Sequence, residues 1–214
     1  MPKELAPSAQ WVFRKDYNQR ERKLAKQIES FRGGIASLAA NGTLTSMSSP
    51  MPGSFELDDE GRSQGAPLQE ASVSAHAQTG VGATGGLLLR RLVDGLGMDH
   101  ILELGTNTGM SGAYMLSAER RPHLTTVEGS AELCAVAAHC LGEQSSQFRQ
   151  MNALFDEAID TLVSEGARFD AVFVDGQHEE KATIHYAERV RPLLKPGGVL
   201  IFDDIYWSRG MLAA

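Results

Sequence analysis

The stretch from Ile101 to Glu119, ILELGTNTGMSGAYMLSAE, constrains this chain more than any other. Ile101, Leu102 and Leu104 form a short apolar run bounded by polar residues, the pattern of a strand buried on both faces of a parallel sheet. The run ends in a turn carrying Gly105 and Gly109, where the backbone can bend sharply with no Cβ in the way, and the turn opens directly into a small-residue helix. In open α/β sheets ligands bind beyond the carboxyl ends of the strands, so this unit marks a ligand edge. Its glycines are not those of a pyrophosphate loop. With Gly105 first, a G-x-G-x-x-G series meets Asn107 and Met110 where its other glycines belong, which leaves a nicotinamide-dependent oxidoreductase as the weaker reading.

After the loop, strand and helix patterns alternate. Thr125 to Val127 reads as a second strand, and Ser130 as the cap of a helix carrying Leu133, Val136, Ala137, Cys140 and Leu141. Gln147 to Met151 is a third strand, followed by a helix with Phe155, Ile159, Leu162 and Val163 on its inner face, and Ala171 to Val174 is a fourth. A helix from Glu179 to Leu194 turns Ile184, Ala187, Val190 and Leu194 inward, and KPGG turns the chain into the strand Val199 to Phe202. This alternation predicts a Rossmann-like, doubly wound, mostly parallel α/β sheet with helices on both faces.

Upstream, Asp16 to Phe31 carries Tyr17, Leu24, Ile28 and Phe31 at helical spacing and stops at Gly33-Gly34, an N-terminal helical appendage. It is expected to act as a lid or dimer contact, or simply to cover the sheet edge. Asn41 to Ala71 has no sustained period and reads as a long loop or linker without chemistry. Gly85 to Leu96 is a helix lying beside the glycine loop, and the preceding His76 and Thr79 either line the ligand's mouth or are ordinary surface residues. The expected division is an appendage with a flexible lid over residues 1–84 and a ligand-binding domain over residues 85–214.

A net charge of −7, with no Lys/Arg block outside the first helix, argues against a nucleic-acid partner and for a small-molecule one. No apolar stretch approaches bilayer length and the start, MPKELAPSAQ, lacks the regions of a signal peptide, so the expectation is a cytoplasmic protein without membrane contact. Cys134 and Cys140, six apart on one helix, are read as reduced structural thiols that do not pair with each other.

Acids close several strands. Glu128 ends the run LTTVEGS about 20 residues beyond the loop, where a carboxylate accepts hydrogen bonds from two ribose hydroxyls. Asp175 in VFVDGQH, with Asp203 and Asp204 in LIFDDIYWS, rises at the same edge. Three carboxylates in so small a volume cannot all stay ionised without a cation, and hard oxygen ligands select Mg²⁺ or a similar divalent ion; the alternative is acids that cap helices or stay solvated. His178 lies three residues after Asp175 and leans over that edge as a general base, or else caps the helix starting at Glu179. Tyr206 and Trp207 follow the acid pair as a stacking wall or as packing, while His100, His123, His139 and His185 are not candidates.

The E-x-G-x-N-x-G stretch from Glu103 to Gly109, Glu128 and the acidic strand ends together resemble the class I S-adenosylmethionine-dependent methyltransferases. Within them the chain is similar to the metal-dependent O-methyltransferases of the catechol and bacterial sugar-modifying types, over about Gly80 to Met211. The resemblance implies that Glu103, Gly105, Thr106, Asn107, Gly109, Ser111 and Glu128 hold S-adenosylmethionine, with Asn152 and Ala153 near the adenine and Asp175 also at the cofactor. It implies a divalent metal on Asp175, Asp203 and Asp204, and His178 as the base. Asp-Gly-Gln-His stands where methyltransferases of nucleobase amines carry Asn/Asp-Pro-Pro-aromatic, so the expected acceptor is a hydroxyl oxygen of a sugar, polyketide or phenol. The family's sheet continues with two further strands, whereas this chain stops at MLAA. The alternative is therefore a truncated, non-catalytic cofactor-binding or scaffold chain, and a homo-oligomer covering the open edge is the expected remedy if it is not.

Overall fold

In the computed structural model, which describes residues 14, 16–38, 43–47, 55–63 and 68–214, the apolar strands sort their side chains to two faces. The elements in chain order are α1 (Gln19–Leu38), β1 (Thr43–Met47), β2 (Leu68–Ser72), α2 (Val73–Gln78), α3 (Ala83–Leu96), β3 (His100–Leu104), α4 (Met110–Leu116) and β4 (His123–Glu128). They continue with α5 (Ala131–Gly142), β5 (Phe148–Asn152), α6 (Phe155–Ser164), β6 (Phe169–Val174), α7 (Glu180–Val190), β7 (Leu194–Phe202) and α8 (Arg209–Ala213).

Five strands form one sheet in the order β5-β4-β3-β6-β7, every pairing parallel. Because side chains alternate along a strand, Leu102, Leu104, Val127, Val172 and Val174 pack against Ile159 and Leu162 of α6 and Tyr186 and Val190 of α7. Ile101, Leu124, Ala171 and Phe173 pack on the opposite face against Leu89 and Val93 of α3, Met115 of α4 and Leu141 of α5. The strand order reverses between β3 and β6, and in such sheets the crevice above that switch point is where ligands bind.

Several details depart from the sequence expectations. The stretch 41–71 is not all loop: β1 and β2 pair antiparallel, from Thr43 opposite Ser72 to Met47 opposite Leu68. Five polar-rich residues on each side carry too little period-two signal to announce such a ribbon. The first helix does not stop at Gly33-Gly34 but runs to Leu38, because Ile35 beyond them is buried with Ala77. Nor does it cover the sheet edge; Ala25 and Ile28 pack on Leu87 of α3 and Met110, Ala113 and Tyr114 of α4. Its start is closed by a reciprocal pair in which the Glu21 N–H donates to Asn18 Oδ1 at 3.0 Å and the Asn18 N–H donates to Glu21 Oε2 at 2.8 Å.

The last helix of the sheet ends at Val190, and a single 3₁₀ turn over Arg191–Leu193 leads into β7. The KPGG segment lies inside that strand as a bulge: Leu194 pairs with Phe169 and Val199 with Ala171. Ile184 and Val163, expected inward, are each 43% exposed. The buried stripe of α7 is Ala182, Tyr186 and Val190, and that of α6 is Ala158, Ile159 and Leu162. Cys134 and Cys140 are free and buried, with burial pushing their thiols up to about 11 and about 12. Among the described residues no helix is long and apolar enough to cross a membrane.

Candidate functional site

The carboxyl ends of the strands surround a cavity of about 700 Å³. Its floor is the loop after β3. Gly105, at φ 106°, crosses so close to the loop after β6 that a Cβ there would lie 1.9 Å from the Asp175 carbonyl oxygen. The Gly105 N–H donates to Val127 O and the Asp175 N–H to Leu104 O, so the loops stay stitched to the strands beneath them. Gly109, at φ 84°, caps α4.

Beside this floor, Glu128 closes β4 at 9% exposure. Its Oε2 accepts the Asn107 N–H at 2.9 Å and its Oε1 accepts the Ser130 N–H at 3.0 Å. Burial raises its pKa, and these backbone donors oppose the rise. Asn107, at φ 47°, also lines the cavity, and its amide nitrogen donates to Thr79 Oγ1 at 2.7 Å. Asn107 Oδ1 is buried and has no hydrogen-bond partner among the described residues. Leu133, Ala153, Leu154 and Phe155 give the same end of the cavity an apolar side.

At the other end stand Asp175, His178, Asp203, Asp204 and Trp207. One ligand atom from each of Asp175, His178 and Asp204 lies within 4.8 Å of the others. His178 Nε2 is 3.8 Å from Asp175 Oδ1 and 3.7 Å from Asp204 Oδ2. Asp203 Oδ1 instead accepts the Asp204 N–H at 2.9 Å. Burial, reinforced by the Asp203, Glu103 and Asp204 carboxylates, pushes Asp175 up to about 8. Burial lowers the His178 pKa against the pull of Asp204 and Asp203. An electron-rich trio of two carboxylates and an imidazole, with Asp175 and His178 partly buried and Asp204 exposed, has the donor chemistry of a divalent-cation site.

Of the residues expected to hold the cofactor, the structure brings Gly105, Asn107, Glu128, Ala153 and Asp175 to the cavity wall. Glu103, Thr106, Gly109, Ser111 and Asn152 lie outside the wall. Glu103, fully buried, accepts hydrogen bonds from the Ser111 and Thr126 hydroxyls, and Thr126 is in turn paired with Thr106. These residues brace the loop from below. The Asn152 amide donates to Glu128 O at 2.9 Å and so fixes the end of β4. His76 and Thr79 line the cavity. Tyr206 is 82% exposed, whereas the Trp207 ring lies 6.0 Å from that of His178.

Sequence reasoning missed Ser63, Gln177 and Tyr186, which form a polar wall near His178. The Tyr186 hydroxyl donates to Gln177 Oε1 at 2.6 Å, and Gln177 Nε2 approaches Ser63 Oγ at 3.5 Å. Gln177 had a local signal, its place in the DGQH turn; Ser63 had none.

Fold and cavity together define a Rossmann-like α/β protein with an acidic pocket at the switch point. The model of the methyltransferase domain family matches residues 102–205. A protein of Mycobacterium avium strain 104, named provisionally as an O-methyltransferase, is 30% identical over 169 residues, 67% of this chain and 74% of its own length. One of Mycobacterium sp. strain JLS, named in the same way, is 31% identical over 142 residues, 64% of this chain and 61% of that protein. The structure of the O-methyltransferase TomG from Streptomyces achromogenes, involved in tomaymycin synthesis and in complex with S-adenosylmethionine, superposes with a TM-score of 0.55 at 28% identity, covering 60% of this chain and 58% of that one. The chain thus belongs to the class I S-adenosylmethionine-dependent O-methyltransferase family, although it spans only about three fifths of the length of the strain JLS relative and of TomG. Membership removes the nicotinamide reading.

Proposed function

We propose that the protein transfers a methyl group from S-adenosylmethionine to a hydroxyl oxygen of a small molecule, with a divalent ion at the acidic end of the cavity. What carries this reading is one observation: Glu128 with the Gly105–Asn107 loop and the Asp175–His178–Asp204 trio face a single cavity. When bound, the cofactor supplies an electrophilic methyl carbon and the ion a Lewis acid that makes the acceptor hydroxyl more acidic.

The chain's own residues do the rest. Glu128 would accept from the ribose hydroxyls, while Leu133, Ala153 and Leu154 exclude water from the adenine. Asp175, His178 and Asp204 would hold the ion, and Ser63, Gln177, Tyr186 and Trp207 would orient the acceptor. Catalysis then rests on positioning an oxygen beside a reactive carbon and on supporting its developing charge. Because the set mixes an imidazole with carboxylates, Mn²⁺ suits it better than Mg²⁺.

The expected role of His178 changes with this reading. Its Nε2 faces the two carboxylates, and a lone pair that ligates an ion cannot also take a proton. The depressed basicity of the ring, which keeps it neutral, favours general-base work equally and supports that second reading. The two separate in His178→Ala: ligation predicts loss of Mn²⁺ affinity, whereas a base predicts retained Mn²⁺ binding with turnover down about 10²- to 10⁴-fold.

The test of the whole proposal is methyl transfer to a panel of hydroxylated compounds with Mn²⁺ present. Asp204→Ala, or a chelator, should lower turnover at least about 100-fold while leaving S-adenosylhomocysteine affinity within about twofold. Unchanged turnover would remove the metal from the mechanism; cofactor binding without turnover on any acceptor would favour the scaffold alternative.

A further inference from the structure

Arg32, on the N-terminal helix and far from the cavity in sequence, spends its guanidinium on the cavity's mouth. Its Nη1 donates to Ala77 O at 2.8 Å and to Thr79 O at 3.0 Å, and its Nη2 donates to Val81 O at 2.6 Å. Its Nε donates to Glu29 Oε2 at 2.7 Å, and Glu29 Oε1 accepts from the Tyr114 hydroxyl at 3.0 Å, which ties the clasp to α4. The side chain is 15% exposed, so these are largely desolvated, charge-assisted hydrogen bonds. Three carbonyls within five residues are gathered by one planar fork, a geometry that lysine cannot reproduce. The segment so gathered, 77–81, contributes Thr79, Gly80 and Val81 to the cavity wall.

Thr79 converts this grip into a chemical consequence. Its hydroxyl donates to His76 O at 2.9 Å, so the hydroxyl hydrogen is used. Oγ1 can then only accept from Asn107, and the partner 2.7 Å away must be the amide NH₂. The Asn107 amide is thereby fixed with Oδ1 as its remaining atom, the buried acceptor without a partner. Asn107 is also the residue whose backbone N–H Glu128 Oε2 accepts at 2.9 Å, so fixing its side chain fixes the loop beside that carboxylate.

We propose that Arg32 is a positioning residue for the cofactor site: it holds the 77–81 segment so that Thr79 fixes Asn107, and with it the loop whose N–H pairs with Glu128. This rests on the reading of the cavity as the S-adenosylmethionine site. It makes the N-terminal helix a working part of that site and not a cover.

The experiment is titration calorimetry of the full chain with S-adenosylhomocysteine, backed by methyl-transfer kinetics. If the fixed state falls to a tenth of the population, the apparent Kd rises about tenfold, which is the expectation for Arg32→Met; Thr79→Val, which removes one neutral link, should raise it about fivefold. Thr79→Ser keeps the oxygen and should return affinity to within about twofold, a rescue that generic destabilisation does not show. In turnover the KM for S-adenosylmethionine should rise while kcat at saturating cofactor stays within about twofold, the signature of lost uniform binding. Arg149→Met, which breaks the exposed Arg149–Glu165 pair, is the control and should leave Kd unchanged. Should Arg32→Met fail to fold, the exposed Thr79 variants decide. Equal affinity in wild type and Thr79→Val, or in a folded Arg32→Met, overturns the inference alone. A wild type that does not bind S-adenosylhomocysteine overturns the cofactor reading and this inference with it.

Discussion

Gly105 shows how little room the floor of the site has. Its φ of 106° is one that side-chain-bearing residues avoid, and the atom a Cβ would strike is backbone, 1.9 Å away, which cannot swing aside. Gly105→Ala should therefore cost more than about 2 kcal/mol in chemical denaturation and abolish S-adenosylhomocysteine binding. A stable variant that binds normally would refute the close crossing of the two loops. Glu103 makes a second case. Burial, only partly opposed by the Ser111 and Thr126 hydroxyls, raises its carboxyl from 4.5 to about 7 in the folded protein. A carboxyl raised on folding favours the native state fully below its unfolded pKa, and that advantage is lost as pH rises through the folded one. Stability should therefore fall between about pH 4.5 and 7 by more in wild type than in Glu103→Gln, by an amount of about several degrees in Tm. Parallel Tm curves for the two proteins would show that Glu103 does not titrate in this range.

Among the elements, the segment from Phe55 to Ser63 is anchored at both ends by distant carboxylates. The Phe55 N–H donates to Glu179 Oε1 at 3.1 Å, and its ring is buried beside Tyr186 and His185. The Ser63 N–H donates to Asp156 Oδ2 at 2.7 Å, and the same buried carboxylate receives His185 Nε2 and Arg189 Nε. Between the anchors, Asp58 Oδ1 accepts the Glu60 and Arg62 N–H groups and closes a tight turn. Asp156→Ala strands these donors in a dry site and should cost about 3 kcal/mol, with trypsin cutting faster after Arg62. An unchanged cleavage rate would mean that the segment is held otherwise. This is also where the sequence ran out. The parallel strands β3, β6 and β7 were legible as apolar runs, β4 and β5 from the strand–helix alternation around them, and Ser130 announced α5 as its cap, its Oγ accepting the Leu133 N–H at 3.2 Å. A segment fixed by single hydrogen bonds to carboxylates 93 and 124 residues away leaves no periodic trace. The misplaced positions, Val163 on α6 and Ile184 on α7, have a related cause. Ala158 and Ala182 count for little in a hydrophobic pattern, yet the stripes they belong to, with Tyr186 held by Gln177, are the ones that meet the sheet.

For the molecule as a whole, the consequence of the winding is that groups from four strand ends converge. Glu128 follows β4, Asn107 follows β3, Asp175 and His178 follow β6, and Asp203 and Asp204 follow β7, all on one cavity. The sequence showed which acids end strands but not their order of depth. Glu103 lies under the floor, Asp203 accepts the Asp204 N–H, and it is His178, not Asp203, that clusters with Asp175 and Asp204. The N-terminal helix joins the same assembly through the buried Arg91–Glu21 pair, 2.6 Å apart, and through Arg32. The most direct test of this convergence is anomalous diffraction from crystals grown with S-adenosylhomocysteine and Mn²⁺. The account predicts one manganese peak among Asp175, His178 and Asp204, in the cavity that also holds the ligand's ribose against Glu128. Ribose bound away from Glu128, or no peak at the trio with Mn²⁺ saturating, would contradict it.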